Sequence, residues 1–170
     1  MKINMPGCYI QEKGAMSKIA SYFNFLEDEK VLILMDGFSY MHFKDKVSEG
    51  LKKHNISYII ESFTGECCME NIKNIICKSQ SNNIKCAIGI GGGKALDIAK
   101  AVGHFGNMKY IMVPTAASTD GPCSRISVLY ESDGTFKEYI NLDNNPHGVI
   151  VDTEVIANAP AKLLKAGIGD

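Results

Sequence analysis

The 170-residue sequence has almost no imbalance of charge: 18 Lys and Arg stand against 19 Asp and Glu, a formal net charge of −1. It has no basic block either, and a pI near 6.4 leaves no electrostatic footprint for nucleic acid or an anionic membrane. The longest apolar runs reach about half of the ~18–20 residues that a membrane span needs. Met1–Asn4 lead into no long apolar stretch, so no secretory leader is expected. No Cys-x-x-Cys occurs among Cys8, Cys67, Cys68, Cys77, Cys86 and Cys123. That argues against a zinc-thiolate site and a disulfide framework, and these residues are expected to be small buried or half-buried thiols of a cytoplasmic protein. His42, His54, His104 and His147 share no ligand spacing, so neither a complete metal site nor a histidine-based triad is expected within the chain. Repeats, low-complexity tracts and linkers are missing too. What remains is 45% hydrophobic and 22% charged, an ordinary composition with enough apolar material for one core.

What is present is an alternation of β-branched runs and helical patterns. Strands are expected at 7–10, 31–35, 57–62, 86–90, 110–113 and 149–151. Helices are expected at 15–25, 43–53, 69–79 and 94–105, with a further one opening near Thr153 and a terminal one that has Pro160 in its first turn. Val31–Met35 and Cys86–Ile90 are apolar without alternation, the pattern of strands buried on both faces. Segments 126–130 and 136–140 flank Asp133-Gly134, a hairpin signal. Alternating strands and helices imply a parallel sheet covered on both sides. The fold expected is a Rossmann-like, doubly wound α/β domain with a β-hairpin insertion.

Ligands of open parallel sheets bind beyond the carboxyl ends of the strands, where strand order reverses. Three strand ends carry candidate residues. Gly91-Gly92-Gly93-Lys94 lies between a strand and a helix, where glycines let the backbone approach a ligand and helix amides face an anion; a pyrophosphate is the natural guest, and a tight turn without ligand is the alternative. Asp36 ends a strand, where an acidic residue binds ribose hydroxyls or caps the following helix. Thr115 to Pro122 is a run of small hydroxyl residues closing on Asp120, suited to phosphate or to a hydroxylated substrate, or else a polar turn. Asp97 and Lys100 share a helical face, which a solvated ion pair would also explain.

Three motifs carry a family resemblance: Gly91 to Lys100, Val113 to Ser124, and Val151-Asp152-Thr153-Glu154 through Pro160 to Asp170. From about Pro6 to its last residue the chain resembles the glycerol dehydrogenases of the iron-containing alcohol dehydrogenase superfamily, related in fold to dehydroquinate synthase. The glycine motif is common to the superfamily; the Ser118-Thr119-Asp120-x-Pro122-Cys123-Ser124 run is more specific. Gly121 and Ile126 depart modestly from the pattern, and Arg125 is bulkier than expected beside the cofactor pocket.

The resemblance implies NAD across the sheet, with Asp36 on the adenosine ribose and Gly91, Gly92, Gly93 and Lys94 at the pyrophosphate. Asp97, Thr115 and Ser118 would also serve the cofactor, while Ser124, Ile126 and Tyr130 would line its nicotinamide end. Asp120 would bind glycerol hydroxyls, and Asp170 would be one of three zinc ligands. It implies a homo-oligomer acting on a small polyol. Residues 1–160 are then the NAD-binding domain and 161–170 the start of a helical metal-binding domain. The family's two histidine ligands fall beyond Asp170, so the chain is expected to be truncated and to bind NAD without turning over glycerol. Other readings are a relative acting on a phosphorylated polyol such as glycerol 1-phosphate, a dinucleotide-binding module without catalysis, and an assembly partner.

Overall fold

The computed structural model describes residues 5–170; Met1–Asn4, on which the expectation of no leader rests, lie outside the described residues. Six strands form one parallel sheet: β1 (Tyr9–Glu12), β2 (Lys30–Asp36), β3 (Tyr58–Phe63), β4 (Ile84–Gly91), β5 (Lys109–Pro114) and β8 (Gly148–Asp152), in the order β1-β8-β5-β4-β2-β3. The chain also forms helices α1 (Gly37–Lys53), α2 (Met69–Ser81), α3 (Gly93–Phe105), α4 (Thr153–Asn158) and α5 (Ala161–Gly169). Strands β6 (Ile126–Tyr130) and β7 (Phe136–Asn141) pair antiparallel as a separate hairpin, closed where Gly134 adopts φ +87°. The expected doubly wound α/β sheet with a hairpin insertion is therefore the fold observed.

Both faces of the sheet are covered, which is why its central strands carry no polar alternation. Val31, Ile33, Met35, Cys86, Ile88 and Ile90 point to the core beneath α1 and the 15–26 segment. Leu32, Leu34, Ala87, Tyr110 and Met112 point to the core beneath α2 and α3. Helix α3 lies close to β4 at Gly89, where a Cβ would stand 2.6 Å from that of Ala99. Each of α1, α2 and α3 is followed by an asparagine with positive φ: Asn55, Asn83 and Asn107. Asparagine tolerates that left-handed conformation, and each one turns the chain into its next strand.

Two element expectations are corrected. Helix α1 starts at Gly37 rather than at Phe43, because Asp36 caps it. The helix expected over 15–25 is two 3₁₀ segments, Ala15–Tyr22 and Asn24–Leu26, parted by Phe23 in extended conformation. The Phe23 ring occupies the space above Gly148, where a Cβ would come within 2.2 Å of it, and this packing draws the residue out of helical dihedrals. The cysteine expectation is corrected at one position: Cys77 is exposed on α2.

Candidate functional site

Strand order reverses between β2 and β4, because α1 carries the chain outward to β3 while α3 carries it the other way to β5. Asp36 ends β2 and Gly91 ends β4, so both lie at the crevice that such a reversal opens. The Asp36 carboxylate spans it. Oδ1 accepts from the Ser39 amide at 2.7 Å and caps α1, while Oδ2 accepts from the Gly92 amide at 3.0 Å. Gly91 has φ +150°, and a Cβ there would stand 2.2 Å from Asp36 Oδ2. Glycine is required at that position.

Gly92 and Gly93 differ from Gly91: a Cβ on either would meet nothing within 4 Å. The open space is a cleft of ≈ 770 Å³, walled by Asp36, Phe38, Gly92, Gly93, Thr115 and Ser118 together with apolar Val155, Pro160 and Leu163. The first amides of α3 have no acceptor within the helix and sit at the positive end of its dipole, a cradle for an anion. At the mouth, Phe38 is 61% exposed and stacks on His42, centroids 4.1 Å apart.

Other expected residues lie elsewhere. Lys94 turns to Glu66, with Nζ 2.6 Å from its carboxylate. Asp97 turns to Lys100, 2.9 Å away, and the solvated ion pair entertained for these two is corrected: Lys100 is 0% exposed. Burial raises the Asp97 carboxyl, against the pull of Lys100 and of the Val128 amide. Ser124 and Ile126 line a separate depression with Asp120 and Asn145. Tyr130 sits at the end of β6, its amide donating to the Cys67 carbonyl at 2.9 Å. Asp120 and Asp170 meet: the Asp120 amide donates to Asp170 Oδ2 at 3.0 Å.

Sequence reasoning missed Asp152. Its side chain is fully buried and accepts from the amides of Gly14 (2.9 Å), Met16 (3.1 Å) and Glu154 (3.2 Å) and from Lys46 Nζ (3.2 Å). Burial alone would raise its carboxyl, but the Met16 and Gly14 amides and Lys46 outweigh it and hold it below the ordinary value. The signal was available, since Asp152 closes an apolar strand just as Asp36 does. Lys100 was equally visible as a lone charge within Ile98 to Val102.

Among the described residues, no group of three His, Cys, Asp or Glu side chains could hold a metal ion. Asp170, expected as a zinc ligand, has no second and third ligand beside it among them, so the residues described do not fit zinc. No helix among them is long and apolar enough to cross a membrane.

Fold and cleft define an open α/β domain with an anion cradle at its switch point. A model of the iron-containing alcohol dehydrogenase family matches residues 10–160. A glycerol dehydrogenase of Pseudomonas putida is 40% identical over 168 residues, 99% of this chain and 46% of that protein. Among solved structures, a probable glycerol dehydrogenase from Sinorhizobium meliloti matches with a TM-score of 0.89 at 35% identity, covering 99% of this chain and 45% of that one. Glycerol dehydrogenase from Schizosaccharomyces pombe matches with a TM-score of 0.91 at 30% identity, covering 99% and 43%. This chain belongs to the iron-containing alcohol dehydrogenase family. It spans about half the length of the curated relatives it matches, and that family implies a dinucleotide and a metal.

Proposed function

We propose that this chain is the NAD-binding half of a polyol dehydrogenase, with glycerol as the polyol, working in the cytoplasm as a homo-oligomer. The observation that carries this reading is the pair Gly92 and Gly93, whose missing side chains leave the wall of the cleft open beside an anchored Asp36. Each Asp36 oxygen accepts one backbone hydrogen bond and keeps a lone pair for a ribose hydroxyl. The α3 amides hold the pyrophosphate, and the Thr115 and Ser118 hydroxyls complete the cradle. The cofactor then passes over the start of α3, leaving its nicotinamide end to Ser124, Ile126 and Tyr130.

NAD, when bound, supplies the hydride acceptor; the chain's own residues bind and orient. Asp120 holds polyol hydroxyls at the end of the 115–120 loop, and Asp170, against the Asp120 amide, faces the metal side. The described residues do not by themselves build a zinc site. Residues 1–160 serve the cofactor and 161–170 begin the metal-binding part; the chain by itself folds and binds NAD without turnover.

Calorimetric titration with NAD tests the reading. Saturable binding is expected for the unaltered chain. A Cβ at position 93 meets no atom within 4 Å and points into the cleft, so Gly93→Val is expected to keep the fold and abolish binding. A chain that shows no saturable binding, or a Gly93→Val variant that binds as before, rejects the proposal. Glycerol-dependent NADH formation by the purified, zinc-loaded chain would reject its inactivity.

A further inference from the structure

Among the described residues the bulkiest fully buried side chain is a charged one, Lys100. An ammonium has three protons to donate and no capacity to accept, and here all three are engaged. Nζ stands 2.9 Å from Asp97 Oδ1 and 3.1 Å from the Gly121 carbonyl, and it also donates to the Ile126 carbonyl. Both carbonyls lie outside α3. One adjoins Asp120, and the other opens β6. Ser127 fastens the same segment from the other direction, its hydroxyl donating to the Asp97 carbonyl at 2.9 Å. Helix α3 therefore presents the glycine cradle at its first turn and, two turns later, grips the loop that carries Asp120, Ser124 and Ile126. The cleft at the cradle stops short of that loop.

From this geometry we infer that Lys100 is a positioning residue for the nicotinamide end of the cofactor. It acts through the Gly121 and Ile126 carbonyls and sets the distance between the cradle and the 120–126 loop. The inference rests on the cofactor reading above. A buried ammonium suits the task because its bonds are short, undiluted by water and costly to break. With Lys100 removed, the two carbonyls turn toward solvent and the loop drifts, whereas Asp36, Gly92 and Gly93 have no part in the clamp.

The test separates the two halves of the dinucleotide. ADP binding, followed by calorimetry, reports the cradle; the emission of NADH on binding reports the surroundings of its reduced nicotinamide. In Lys100→Met, ADP affinity is expected to stay within about twofold of the unaltered chain, while NADH affinity falls about tenfold and its emission reverts toward that of free NADH. Should Lys100→Met not fold because Asp97 is left without its counter-ion, the double variant Lys100→Met with Asp97→Asn removes both charges and gives the same comparison. ADP and NADH signals that both match the unaltered chain overturn the inference. So does an equal loss of both in a folded variant, since Lys100 would then serve the scaffold as a whole. If the unaltered chain does not bind ADP, the cofactor reading itself fails and the inference falls with it. If that chain binds ADP but leaves NADH emission unchanged, the inference alone is overturned.

Discussion

Asp36 Oδ2 accepts the Gly92 amide at 3.0 Å across 56 positions of sequence, tying the end of β2 to the loop that follows β4. The same carboxylate caps α1 through Ser39. Asp36→Ala removes both acceptors, and a lost cap with one further lost bond is expected to cost about 1–3 kcal/mol. Urea unfolding checks this as a lower midpoint at unchanged slope.

Gly91→Ala is expected to harm the fold as well as the cleft, unlike Gly93→Val. Its Cβ would overlap Asp36 Oδ2 at 2.2 Å and crowd Ala95 Cβ at 2.9 Å, in a backbone conformation that L-residues avoid. Thermal denaturation of the two variants side by side separates them: a lower melting temperature for Gly91→Ala, and no change for Gly93→Val. Equal melting temperatures would contradict the steric argument.

The Asp152 carboxylate joins the start of the 15–22 segment, the first turn of α4 and Lys46 of α1. Its carboxyl is held below the ordinary range, so the unfolded chain takes up the proton first as pH falls. Its stabilising contribution is thus complete above the unfolded value near 3.9 and is lost as pH drops through the folded value beneath it. Asp152→Asn weakens the bonds to the Gly14 and Met16 amides and leaves the partly exposed Lys46 facing a neutral group, and is expected to destabilise by about 1–3 kcal/mol at neutral pH. Measured against pH, the gap between the two proteins should close in the acid range; a gap constant down to about pH 3 would refute the linkage.

Helix α5 meets the 115–120 loop at Gly167, where a Cβ would lie 2.3 Å from the Ala117 carbonyl. Gly167→Ala is expected to push α5 off the loop and separate Asp170 from the Asp120 amide. Hydrogen exchange reads this directly, as faster exchange at Asp120 with the amides of β4 unchanged.

Thiol chemistry reports the packing. Cys77 is exposed, whereas Cys67 and Cys86 are fully buried. Burial, with Asp97 nearby, pushes the Cys67 thiol up to about 12, and burial raises Cys86 still further. Alkylation followed by peptide mass spectrometry is expected to find Cys77 modified first, with Cys67 and Cys86 protected until the chain unfolds. Early labelling of Cys86 would mean that the central strand opens locally.

Much of the architecture was legible because its signals are local. Apolar runs such as Val31–Met35 mark strands buried on both faces whatever surrounds them, and the three glycines after β4 mark a close turn into a helix. Asn55, Asn83 and Asn107 would have marked the helix ends too, since each takes the left-handed conformation that releases the chain into a strand. The 15–26 segment was not legible, because Phe23 leaves the helix for a contact with Gly148 far along the chain.

The sequence by itself determined the elements, their alternation, and which strand ends carry carboxylates and glycines, since periodicity and capping act over a few residues. The tertiary structure alone decided what those groups do. Asp97 and Lys100 have the same spacing whether solvated or buried, and the hairpin folded over α3 is what dries them. Asp36 reaches Gly92 because two crossovers diverge between β2 and β4, and Asp120 reaches Asp170 because α5 returns over the loop. Burial and partner choice depend on which distant segment arrives, and no local pattern encodes that arrival.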